Sequence, residues 1–133
     1  RPVDDVLPLL LDNPRAVQTD ARRDESWLRI IDVERVLNSR QLSGDQTVRL
    51  QIVDPLLPHN QGVWQLTPEG THRTQQPAEL TLSVDVLAML LLGGHQVRQL
   101  VDSQQITVHH PTAPARLGQL FASDQQPWAG IFF

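Results

Sequence analysis

Val63-Trp64-Gln65-Leu66-Thr67 and Thr71-His72-Arg73-Thr74 flank Pro68-Glu69-Gly70. A proline followed one residue later by glycine suits a tight hairpin turn, so the two arms are expected to pair antiparallel. Upstream, Val48, Leu50 and Ile52 alternate with Arg49 and Gln51, the period of a half-buried strand, which Asp54-Pro55 ends. Pro58-His59-Asn60-Gln61-Gly62 is the loop between. Further back, Trp27-Leu28-Arg29-Ile30-Ile31 is rich in β formers and predicts another strand. Asp32 then stands where it can cap a helix carrying Val33, Val36 and Leu37, and Gly44-Asp45 turns the chain. Downstream, Leu80, Leu82 and Val84 alternate again. Asp85 is placed to cap an apolar helix running from Val86 to Leu92, which Gly93-Gly94 stops. Val97, Leu100 and Val101 mark a short helix, Ile106–Val108 a strand, and Leu117, Leu120 and Phe121 a last helix. About six strands interleave with four helices. The short connections predict an α+β fold, a mainly antiparallel β-sheet of about five or six strands with helices packed on one face.

The first 25 residues read differently. Val3, Val6, Leu7, Leu10 and Leu11 recur at roughly helical spacing, but Pro8 shortens any helix there and Asn13-Pro14 reads as a stop. Thr19 to Ser26 is polar. The expected division is a connector over residues 1–25 and one folded domain over 26–133, within a total length that suits a single domain. Arg1 stands where an initiating Met is usual, and a chain processed or excised from something longer is the expectation.

Composition narrows the chemistry. Eleven basic and 15 acidic side chains give a net charge of −4 and a pI of about 5.6, which argues against a nucleic-acid binder. Every basic side chain counted is arginine; without lysine, cysteine or tyrosine, this chain offers no Schiff base, thiolate or phenolic acid. Apolar runs are too short for a membrane span, for which about 20 residues are needed, and no cationic, hydrophobic signal segment opens the chain. His59, His72, His95, His109 and His110 lack metal-ligand spacing and are expected to be surface or hydrogen-bonded histidines. Asp4/Asp5 and Asp20/Asp24/Glu25 are expected to be solvated. Trp64 and Trp128 suit the core or the lining of a ligand pocket, and the Leu87–Leu92 run suits the core or the wall of a lipid cavity. The unusual feature is the end of the chain. Ile131-Phe132-Phe133 carries apolar side chains up to the α-carboxylate, where chain ends are usually polar.

An ordered set of fragments then carries a family likeness. It runs Trp27-Leu28-Arg29-Ile30-Ile31-Asp32-Val33, Asp54-Pro55, Asn60-x-Gly62-x-Trp64, Leu80-x-Leu82-x-Val84, Leu92-Gly93-Gly94, Leu120-Phe121-Ala122-x-Asp124, Pro127-Trp128 and Phe133. From about Trp27 onward the chain resembles the C-terminal, sterol-carrier-protein-2-like domain of the enhanced intracellular survival (Eis) family of GNAT N-acetyltransferases. The resemblance implies two upstream acetyltransferase-fold domains, acetyl-CoA as co-substrate of the parent enzyme with none bound by this domain, a small amine substrate, a homo-oligomer (hexameric in the family) and a cytoplasmic location. It implies no metal, membrane or nucleic-acid partner. It also implies that the C-terminal carboxylate of Phe133 acts at the catalytic site, with Phe132 and Trp128 lining the substrate. In some relatives the penultimate residue is acidic; Phe132 departs from that and removes a holding charge for a polycationic aminoglycoside.

Physical chemistry bounds what such a carboxylate does. An α-carboxyl titrates near ~3.5 and an alkylammonium near ~10.4, so direct deprotonation runs uphill by about 9 kcal/mol. Apolar neighbours raise the carboxyl pKa and narrow the gap. Its expected task is to orient the ammonium and pass the proton onward. Two other readings stand beside this one, a stand-alone sterol-carrier-like module binding a lipid or acyl chain, and a purely structural or oligomerisation domain.

Overall fold

The structure is a computed structural model and describes residues 5–18, 27–40 and 42–123. Five strands form one sheet: β1 (Val48–Val53), β2 (Gly62–Thr67), β3 (Gly70–Thr74), β4 (Leu80–Ser83) and β5 (Ile106–Val108). Among the described residues four α-helices accompany them: α1 (Val33–Ser39), α2 (Val84–Leu92), α3 (Val97–Asp102) and α4 (Ala113–Leu120). The spatial order is β3-β2-β1-β4-β5. Three of the four pairings are antiparallel; β1 and β4 run parallel at the centre, with Leu50 opposite Leu80 and Ile52 opposite Leu82. The architecture is the expected α+β fold, with a mostly antiparallel mixed sheet.

Alternation explains why the helices take one face. Val48, Leu50 and Ile52 of β1, Trp64 and Leu66 of β2, Leu80 and Leu82 of β4 and Ile106 of β5 share one core with Val33, Leu37, Leu87, Leu90, Leu100 and Leu117 of the helices. The intervening residues, Arg49, Gln51, Gln65, Thr81 and Thr107, are polar and belong to the other face. The hairpin forms where proline and glycine place it: Pro68 and Glu69 make the turn, and Val63 pairs with Thr74.

Three local expectations are corrected. Trp27–Ile31 is not a strand; it is an unpaired segment in which Ile30 alone is buried, while Trp27, Leu28 and Ile31 are exposed. The sheet already ends in β3 and β5, and polar side chains rather than a ladder fix this segment. Val84 belongs to α2 rather than β4, so Ser83 is the N-cap and Asp85 lies in the first helical turn. Asn13-Pro14 starts a 3-10 turn over Pro14–Ala16 instead of stopping one, because the Asn13 side chain accepts a hydrogen bond from the Arg15 N–H. The leader apolar run is short, as Pro8 implied: it forms a 3-10 turn, Leu7–Leu10, with Pro8 in its first turn, where the missing N–H costs nothing.

Other boundaries fall as read. The Asp32 carboxylate accepts from the Arg35 N–H at 2.9 Å and caps α1. Gly93 ends α2 in the left-handed region, with φ of 76°, and its N–H reaches the Leu90 carbonyl. A Cβ there would have Ser123 at 3.9 Å as its nearest neighbour, so the site is roomy and the cost of a side chain is purely conformational. Gly93→Ala is therefore expected to cost about 1 kcal/mol, measured by urea denaturation.

The edge strand β3 has an unusual partner. The Asn38 carboxamide of α1 accepts from the Thr71 N–H at 2.7 Å and donates to the Thr71 carbonyl at 3.0 Å. One side chain thus occupies both backbone groups that a further strand would use at this position.

Candidate functional site

The three residues expected to carry chemistry, Trp128, Phe132 and Phe133, lie outside the described residues, as does Asp124. Three other fragments of the likeness, Trp27–Val33, Asp54-Pro55 and Asn60-x-Gly62-x-Trp64, converge on a buried polar network. Asp54, fully buried at the end of β1, accepts from Arg29 Nη2 with both oxygens at 2.6 and 2.7 Å. It also accepts from the Asn60 amide at 2.8 Å and from the N–H groups of Leu56 and Leu57 at 3.0 and 3.1 Å. Burial pushes the Asp54 carboxyl up, but the Arg29 guanidinium, the Asn60 amide and the two backbone N–H groups outweigh it and hold the pKa far below the usual carboxylate range.

Asn60 continues the network. Its side-chain oxygen accepts from the Val33 N–H at 2.9 Å, at the start of α1, and its backbone carbonyl accepts from the Trp64 indole at 2.9 Å. Gly62 (φ 133°) leaves room beside it, since a Cβ there would stand 2.6 Å from Arg73 Nη1. Arg73 crosses this space to lie 4.4 Å over the Trp64 ring, donating to the carbonyls of Gln61 and His59. The pattern Asn60-x-Gly62-x-Trp64 is a structural device, which supports the core reading of Trp64.

A second network centres on Glu79, which sequence reading passed over. Its carboxylate accepts from Arg116 Nη2 at 2.5 Å and from the Arg49 N–H at 3.1 Å. Arg116 also donates to the Thr47 carbonyl. The Glu79 carbonyl accepts from the N–H groups of His109 and His110. Burial raises the Glu79 pKa, and the charges and hydrogen bonds of Arg116 and Arg49 lower it further than burial raises it. Glu79 thereby ties α4 to the sheet. The signal missed was the pairing of an isolated Glu between strands with an Arg inside an amphipathic helix.

Histidines also serve the scaffold. His59 Nε2 bonds the Ile31 carbonyl at 2.8 Å, His109 Nε2 the Thr81 hydroxyl at 2.8 Å, and His110 Nδ1 the Thr112 hydroxyl at 3.0 Å. Among the described residues, no group of three or more His, Cys, Asp or Glu is placed to hold a metal. No described helix is long and apolar enough to cross a membrane.

Two concavities flank α1. One of about 290 Å³ lies against Leu37, Arg40 and Leu42 and the Thr67–Gly70 turn. The other, of about 450 Å³, runs between α1 and residues 28–32, with Leu28, Ile31 and Val36 on its walls. Neither includes α2, whose Leu87 and Leu90 are packed into the core.

This fold defines the class. Residues 33–130 match the sterol carrier protein domain, and the chain belongs to that family. Relatives that the chain matches are named N-acetyltransferases. Over its whole length the chain is 33% identical to an uncharacterized N-acetyltransferase of Streptomyces griseus, covering 33% of that protein. It is 32% identical over 126 residues to N-acetyltransferase Eis of Mycobacterium tuberculosis, covering 90% of this chain and 30% of Eis. The crystal structure of Eis1 from Mycobacterium abscessus superposes with a TM-score of 0.93 at 35% identity, over 100% of this chain and 34% of that one. A GCN5-related N-acetyltransferase from Anabaena variabilis gives 0.64 at 28% identity, over 75% of this chain and 26% of that one. The domain is of the Eis type, and the chain spans about a third of the length of the relatives it matches.

Proposed function

We propose that this chain is the C-terminal accessory domain of an acetyl-CoA-dependent N-acetyltransferase, inactive alone, which walls the amine-substrate site and brings the Phe133 carboxylate to it. The observation that supports this reading most is coverage: the whole chain aligns with a third of proteins named N-acetyltransferases. Composition agrees, because a chain without lysine, cysteine or tyrosine depends on other domains for a phenolic acid. Residues 1–25 then serve as the connector and 26–133 as the sterol-carrier-type domain. Acetyl-CoA is the co-substrate of the whole enzyme, held by upstream acetyltransferase domains, and the assembly is a cytoplasmic homo-oligomer. Phe132 and Trp128 supply apolar walls, and the carboxylate orients a substrate ammonium rather than deprotonating it outright.

The test is an acetyl-CoA turnover assay with small amines. The 133-residue chain alone is expected to show none, and the polypeptide with upstream acetyltransferase domains is expected to be active. Turnover by the chain alone rejects the accessory role. The family description favours a second reading, a lipid or acyl-chain carrier. Against it, Leu87 and Leu90 on the apolar helix are occupied by core packing. Fatty acids are accordingly expected to leave the melting temperature unchanged; a saturable rise would establish the carrier.

A further inference from the structure

The segment Trp27–Ile31 combines properties that rarely occur together. It shows large apolar side chains to solvent, with Trp27 90%, Ile31 64% and Leu28 45% exposed. It is nevertheless tied down: Arg29 is clamped by both oxygens of Asp54, Ile30 is buried, and the Ile31 carbonyl is held by His59. An apolar surface fixed in shape beside a groove of about 450 Å³ is preorganised for a partner. Its position along the chain narrows that partner. The match to the sterol carrier protein domain starts at residue 33, after this segment, whereas the matches to the three-fold longer N-acetyltransferases take in the whole chain. The apolar segment thus lies outside the shared carrier fold and inside the region common to the long enzymes.

We infer that the face formed by Trp27, Leu28, Ile31 and Val36 is the docking surface for the acetyltransferase portion of a longer polypeptide, the two-thirds of its relatives' length that this chain does not span. The inference rests on the accessory-domain reading and adds to it the face that is used. Arg35 and Asp32 at the groove edge give the polar rim expected around an apolar centre.

Hydrogen–deuterium exchange of residues 27–32 tests this, comparing the 133-residue chain with the same sequence inside the full-length polypeptide. Protection of at least about ten-fold is expected in the full-length protein and should be abolished by the double variant Trp27→Ser, Ile31→Ser. That variant is expected to leave the melting temperature of the 133-residue chain within about 2 °C of the parent, because both side chains are exposed there. Equal exchange in the two contexts overturns the proposal. So does a concentration-dependent dimer of the 133-residue chain that the double variant abolishes, which would make a second copy the occupant, and so does binding of the chain to phosphatidylcholine vesicles through the same residues. Protection is read independently of turnover, so a docked but carboxylate-independent enzyme would sink the role of Phe133 and leave the docking face standing.

Discussion

Asp54→Asn is expected to lower the melting temperature by on the order of 10 °C, among the largest effects of any single isosteric change in this domain. The carboxylate accepts from Arg29, Asn60, Leu56 and Leu57 at once. An amide keeps one acceptor and turns its NH2 toward groups that already donate, leaving Arg29 without its counter-charge. The strain falls on the joint between β1, the start of α1 and the Trp27–Ile31 segment. Acid acts on the same bonds. Because the folded-state pKa of Asp54 is depressed, its contribution is fully present above the ordinary carboxylate range and is lost as pH falls through that range toward the folded value. Glu79 titrates in the same sense. Thermal melts of the parent should therefore hold steady near neutrality and fall below about pH 5. Asp54→Asn should start lower and lose part of that slope; a variant with the parent's melting temperature and acid profile would remove the network from the account.

Adding three or four polar residues after Phe133, in the full-length polypeptide, is expected to reduce kcat by about 100-fold while moving the melting temperature by less than about 2 °C. A displaced orienting group costs a factor of this order even when binding persists. The extension converts the α-carboxylate into a neutral amide and moves the charge several ångströms away. If Phe132 and Phe133 merely anchor the fold, the melting temperature should fall in step with activity. Steady-state kinetics and calorimetry on the same preparations separate these cases. Full activity in the extended enzyme rejects the carboxylate role.

The sheet and helices were legible because their signals are periodic and local. Val48, Leu50 and Ile52 alternate, Pro68 and Gly70 bracket a turn, and Gly93 ends an apolar helix at a left-handed position. Trp27–Ile31 misled for a physical reason. β-propensity measures fit to a half-buried, paired surface, whereas here Ile30 alone is buried and Arg29 and His59 hold the segment by side-chain bonds in place of a ladder. The parallel pairing of β1 with β4 was also out of reach, because it depends on the crossover through β2 and β3 rather than on either strand. Asp54, Asn60 and Trp64 were legible as a pattern but not as a network, since Asp54 meets Arg29 from 25 positions away. The likeness supplied the family, and the described residues show what part of its pattern does: it holds the scaffold together.

The Asn38 carboxamide has a consequence beyond the fold of one molecule. A free strand margin invites a neighbouring chain to extend the ladder, the route by which β-rich proteins polymerise. Here a side chain imitates the missing strand for one residue, accepting and donating at Thr71 as a backbone would. Any neighbour must first displace it. The interruption falls at the second residue of a five-residue margin, so only the short run from His72 to Thr74 is left beyond it to seed a fibril.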